Sequence, residues 1–283
     1  MILEGFNKLK QSPKIQGLGS DLVLARHKEL FDSCQKFLSS AKKIGIVSKI
    51  TGKRYFSFLK GKRISRAINE DLYFEDSEII SRFWSALEKK SLSEEISREI
   101  TRAVYSISIA FCATIDLIKD GDQKTTGTFF EYWIGHLVSR HLGISPEKRV
   151  VINNIELPTD FVFRPGEGKA NIHLPIKAST RERVIQVWAH QRLLDGFAGY
   201  NAYKGVLVCL SETKTEKKSR EVIEICLPDQ WRMYQNYIAQ MTRVYYLDLP
   251  EPYLKLSSGQ PRISVRPFGD FYQEVGTLIS HSA

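Results

Sequence analysis

The chain has 283 residues, 42% of them hydrophobic and 26% charged, the balance of an ordinary globular chain rather than a disordered or fibrous one. Lys and Arg outnumber Asp and Glu by 41 to 32, giving a formal net charge of +9 and a pI of about 9.3; that fits an anionic partner without choosing between nucleic acid and membrane. The opening MILEGFNKLKQSPKIQGLGS lacks an apolar core of signal-peptide length, and no apolar run reaches the roughly 18 residues needed to span a bilayer.

In chain order, residues 1–20 read as a loose arm. From Asp21 to Ser40 the spacing of Leu22, Leu24, Leu30, Phe31, Cys34, Phe37 and Leu38 is helical. No acid occurs between Asp32 and Glu70, while Lys36, Lys42, Lys43, Lys49, Lys53, Arg54, Lys60, Lys62, Arg63 and Arg66 fall there with Tyr55, Phe56 and Phe58 interleaved. Such a segment suits a phosphate backbone, where basic residues release counterions; a solvated basic face with core aromatics is the bland alternative. Residues 76–118 read as two or three helices, the last the most apolar stretch of the chain, Val104 to Ile118. The first 120 residues are therefore expected to be a mainly helical subdomain, contacting DNA and dimerising.

Lys119–Lys124 is a turn-rich break, after which Thr128–Leu142 is a helix stopped by Gly143. Glu131 then lies in its first turn, where Thr128-Phe-Phe-Glu131 fits a capping box. Val150–Leu157, Phe161–Phe163 and Ile172–Ile176 have β character. A helix follows over 180–195, closed by Gly196, and Lys204–Leu210 reads as a central strand covered on both faces. Ser211–Arg220 is a polar loop, Val222–Leu227 a short strand, Pro228–Gln240 a helix, Arg243–Leu249 a strand and Phe271–Ile279 a closing helix. Residues 121–283 thus predict an α/β core, a mixed central β-sheet flanked by helices.

The four cysteines, Cys34, Cys112, Cys209 and Cys226, form no CxxC pair and sit among apolar neighbours, as buried free thiols of a reducing, cytoplasmic setting would. The six histidines show no HExxH spacing. Chemistry concentrates instead at Asp160, entering one strand, and Lys177, leaving the next. Such a carboxylate can hold Mg²⁺, which makes hydroxide available near neutral pH and neutralises phosphate charge. The amine can orient water and stabilise the transition state. Either residue alone is as well explained as a turn acid or a surface charge; the pair raises both. Glu131 is a further carboxylate aimed at a metal or at Lys177, or merely a cap. On the helix after Lys177, His190 and Gln191 are the polar candidates for another metal ligand. Arg181, Glu182 and Arg183 open that helix and could read G·C pairs, Arg bonding guanine and Glu bonding cytosine; a second capping box with surface arginines is the plain alternative.

Asp160, Lys177 and the run Lys177-Ala-Ser-Thr-Arg-Glu-Arg183 resemble the type II restriction endonucleases of the PD-(D/E)xK superfamily, most of all the group that cuts CCGG or CCNGG sites. The resemblance implies the PD-(D/E)xK nuclease core, catalytic Asp160, Lys177 and Glu131, and Mg²⁺ on Asp160 and Glu131, with His190 or Gln191 in place of a further acid. It implies base contacts from Arg181, Glu182 and Arg183, with phosphate contacts expected from Lys53, Arg54, Lys60, Lys62 and Arg63. It also implies double-stranded DNA as substrate, a homodimer or tetramer, and a partner methyltransferase. The departure is the acid expected near Lys177 or on the following helix: Pro175 stands two residues before Lys177, and the helix offers His190 and Gln191. A structure-specific repair nuclease on the same core and a non-catalytic DNA-binding module remain open.

Overall fold

In the computed structural model of the chain, described for residues 2–280 apart from 76, 120, 181–183 and 217, the amino terminus is not a loose arm. Phe6 and Leu9, three apart, share a buried face of α1 (Ile2–Gln11), and Pro13 opens the short α2 (Pro13–Gln16). Ser20 caps α3 (Asp21–Leu38) by accepting from the Val23 amide. The basic segment is a sheet rather than more helix. Strands β1 (Lys42–Ile46), β2 (Tyr55–Lys60), β3 (Arg63–Ile64) and β4 (Ile68–Asn69) pair antiparallel around β2. Tyr55, Phe56 and Phe58 are buried in it, so the first third holds a small sheet among its helices.

Two helices follow, α4 (Ser77–Lys89) and α5 (Ser97–Ile118). The latter is long and apolar enough to cross a membrane, and 89% of its most apolar window is buried inside the protein. It is the axis of one apolar core running from Phe6 through Phe111 and Phe129 to Ile279. Helix α6 (Gln123–Leu142) begins five residues earlier than its apolar spacing suggests, because Asp122 caps it through the Thr125 amide. It ends as expected at Gly143, whose φ of 68° is left-handed.

The expected β stretch 150–157 is two strands, β5 (Glu147–Ile152) and β6 (Ile155–Phe163), joined by Asn153-Asn154 with φ of 47° and 67°. Two consecutive positive φ values are the signature of the hairpin turn that matches strand twist. Next come β7 (Asn171–Leu174), β8 (Ile176–Lys177), α7 (Ile185–Ala198) and β9 (Tyr203–Cys209). Gly196 lies within α7, and Gly199, φ 90°, stops it. The expected polar loop contains β10 (Thr213–Thr215), which pairs with β11 (Val222–Glu224). Then α8 (Pro228–Tyr237), β12 (Arg243–Tyr246), α9 (Glu251–Leu254), β13 (Val265–Pro267) and α10 (Phe271–Ile279) complete the chain.

The main sheet runs β13-β12-β9-β7-β6-β5, with β8 also on β9. It is antiparallel across β5, β6 and β7 and parallel from β7 to β13. The expected mixed α/β sheet flanked by helices is present. Helix α6 crosses its β6 side through Gly135, where an added Cβ would stand 2.5 Å from the Phe161 ring. Gly127, on the same helix, has open space around it.

Those two glycines make a paired test. Ala is favoured over Gly in a helix by about 1 kcal/mol, so Gly127→Ala should stabilise the protein by up to that amount. Gly135→Ala should destabilise it by about 1–3 kcal/mol, because overpacking against Phe161 outweighs propensity. Urea or thermal unfolding of the two variants reads the opposite signs.

Candidate active site

Strand β6 loses its partners on both sides at Asp160. Toward β7 the pairing ends at Phe161 opposite Leu174, and the next residue, Pro175, has no amide hydrogen to offer. Beyond it β8 pairs with β9 alone. Toward β5 the register jumps from Glu147–Val162 to Arg149–Pro158. The Asp160 carboxylate closes part of the gap. Its Oδ2 accepts from the Ile176 amide at 2.8 Å and from Lys177 Nζ at 2.7 Å. The side chains are 21% and 34% exposed, so the pair is reachable from solvent.

Glu131 faces this pair from α6. It lies one turn before Gly135, the residue that lets α6 touch β6, and in mid-helix rather than in a first turn. Its capping role is therefore ruled out by the position of the helix start. The carboxyl is half-buried, and among the described residues none hydrogen-bonds to it. Burial, then the Asp160 charge, raises its pKa, while Lys177 and Lys148 pull it down. A half-buried acid beside another acid favours a cation.

Among the described residues no three His, Cys, Asp or Glu side chains form a ready metal cage. Asp160 and Glu131 nonetheless suit Mg²⁺, which takes oxygen ligands and fills its shell from water and phosphate.

The two polar candidates on α7 separate. His190 is half-buried and feels Lys177 and Asp160; burial first, and Lys177 second, lower its pKa. Gln191 is fully buried and turned away. Its amide donates to Asp195 and to the Tyr203 carbonyl, both at 2.8 Å, and its oxygen meets His173 Nδ1 at 3.0 Å. Gly205 leaves the room for that oxygen, which a Cβ would approach to 2.7 Å. Gln191 is thus a core residue, and its expected metal role is corrected.

Arg181, Glu182 and Arg183 lie outside the described residues. Their flanks are anchored. Thr180 donates its amide and hydroxyl to the buried carboxylate of Glu212, which also accepts from Tyr246, and Val184 is buried in the core. Nothing in the residue pattern had singled out Glu212; its signal is only an acid directly after a buried strand.

Among the described residues, half of the ten basic residues of the segment have carboxylate partners. Lys53, only 18% exposed, bonds Asp248 at 2.7 Å and the Leu249 carbonyl at 2.8 Å. Arg63 donates to the carbonyls of Leu117 and Ile118 at the end of α5. Lys53, held among its partners, is thereby corrected from its expected place on DNA, while Arg63 stays exposed. Arg54 pairs with Asp71 but stays 75% exposed, Lys60 lies over the Phe37 ring, and Lys62 is exposed.

The fold is a restriction endonuclease fold. The chain superposes on the crystal structure of the type IIP restriction endonuclease Kpn2I with a TM-score of 0.84 and 25% identity, over 98% of this chain and 97% of that one. A second likeness is to the restriction endonuclease PspGI–substrate DNA complex, with a TM-score of 0.43 and 16% identity over 71% of this chain and 91% of that one. No protein-family model and no curated protein matches the sequence.

Because the fold raises the pKa of Glu131, ionising it costs stability as pH rises through the carboxylate range. Glu131→Gln should leave the melting temperature of the metal-free protein unchanged or higher at pH 8. Were Glu131 to hold Mg²⁺, a proton would have to leave first, and apparent affinity would fall by up to about tenfold per pH unit below that pKa. Calorimetric titration at several pH values, with Glu131→Gln abolishing the dependence, checks the sign.

Proposed function

We propose that the chain is a type II restriction endonuclease that cuts both strands of DNA, with Mg²⁺, at a palindromic site with a CCGG-type or CCNGG-type core. The observation that carries this reading is the Asp160–Lys177 pair, 2.7 Å apart where β6 and β8 part, with Glu131 facing it. The likeness to Kpn2I over nearly the whole chain supports it.

Asp160 and Glu131 would hold the ion, which supplies charge neutralisation and a more acidic water when bound. Lys177 is positioned by Asp160 to orient the attacking water and to meet negative charge gathering on the phosphate. Water adds to phosphorus, the bond to the 3′ oxygen breaks, and the products are a 5′-phosphate and a 3′-hydroxyl that takes up a proton. His190, held neutral at the border of the site, is a secondary ligand at most, since Mg²⁺ favours oxygen.

Arg181, Glu182 and Arg183 would read the C·G pairs from the segment that Thr180 and Val184 anchor. Arg54, Lys60, Lys62 and Arg63 are left for the phosphate backbone. A palindromic site calls for a two-fold dimer, or a tetramer made of two such dimers, with each subunit cutting one strand. The same reading places the protein in the cytoplasm of a prokaryote whose cognate methyltransferase protects the site.

Lys177→Ala should slow cleavage by about 10²-fold or more while duplex binding persists. Arg181→Ala and Arg183→Ala should each cost about 1–3 kcal/mol of specific binding and little non-specific binding. Gel-shift titration beside a cleavage assay separates the two classes; sequence-specific cutting at the wild-type rate by Lys177→Ala would remove that residue from the mechanism.

A further inference from the structure

The register jump between β5 and β6 sets one residue, Lys148, opposite the three residues Thr159, Asp160 and Phe161. Irregularities of this kind re-aim side chains and collect beside active sites. Here Lys148 is turned over the α6 side of the sheet. Its Nζ lies 5.0 Å from the ring centroid of Tyr132, the neighbour of Glu131, and 5.0 Å from that of Phe161, the neighbour of Asp160. Two aromatic faces therefore hold an ammonium on the α6 side of the sheet, near enough to Glu131 for their charges to interact, while its residue remains exposed.

The adjacent charges on this edge are neutralised. Glu147 pairs with Arg164 at 3.0 Å, and Arg149 pairs with Glu156 at 2.6 Å. Lys148 makes no ion pair among the described residues. An ammonium held against two rings, exposed and in no ion pair among the described residues, is placed for an anion that arrives from solution. Resting on the nuclease reading above, we propose that Lys148 is the second cation of the cleft and binds a phosphate oxygen of the DNA strand being cut. It stands on the β5 side of Asp160, as Lys177 stands on the β8 side. The sequence offered no sign of it, because Glu147-Lys-Arg149 looks like any polar strand edge.

The test uses the full chain, with Ca²⁺ in place of Mg²⁺ and intact duplex confirmed after each titration. Fluorescence anisotropy measures binding of a cognate and a random duplex across a salt series. Lys148→Met keeps the stem on the two rings and removes the charge; Lys148→Gln is the second variant should the first fail to fold. Loss of one phosphate contact should lower affinity for both duplexes and reduce the slope of log K against log salt by about 0.9. Lys148→Arg should restore most of the slope. A charge-removing variant with wild-type affinity and slope overturns the assignment, provided the wild type cuts DNA with Mg²⁺. A wild type that neither cuts nor binds DNA overturns the nuclease reading itself, and the assignment with it.

Discussion

A strand inside a sheet normally has its backbone groups engaged on both edges, and its side chains then have no reason to repair the ladder. At Asp160 that arrangement fails twice. Pro175 supplies no amide toward β6, and the β5 register slips on the other side. The carboxylate of Asp160 takes the Ile176 amide and the Lys177 ammonium instead. The position of Lys177, the opening between β6 and β8, and the placement of Lys148 all depend on this local failure of pairing. Pro175 is the residue that parts the strands.

The second constraint is how closely α6 approaches that strand. Gly135 brings the helix onto Phe161, and the same face one turn earlier carries Glu131. A larger residue at 135 would push the helix outward and carry the second carboxylate away from the first. Stability and site geometry are thus set by one contact. The unfavourable charge on Glu131 is a local cost of the kind that binding sites carry.

The sequence made the core of the site legible because its residues are close together in the chain. Asp160, Lys177 and the 177–183 run are readable as one stretch, and Phe271–Ile279 is helical where its periodicity says. Contacts between distant residues were not legible. The ten basic residues between Asp32 and Glu70 look uncompensated in one dimension. Folding brings Glu75 to Lys43, Glu221 to Lys49, Asp248 to Lys53, Asp71 to Arg54 and Asp116 to Arg66. Gln191 looked like a ligand beside His190, yet adjacent residues on a helix point about 100° apart; Gln191 enters the core through the gap at Gly205. The start of α6 leaves no apolar signal in the sequence, because the turn that Asp122 caps is polar.

Sequence-specific DNA cleavage at Asp160, as proposed, can be read by incubating phage and plasmid DNA with the protein, with and without Mg²⁺, and sequencing the fragment ends. Discrete fragments are expected only with the ion, with ends that carry 5′-phosphates and share a C/G-rich palindrome. No cleavage of any unmethylated DNA, with metal-independent binding in its place, would contradict the proposal and leave Asp160 and Lys177 as a structural ion pair.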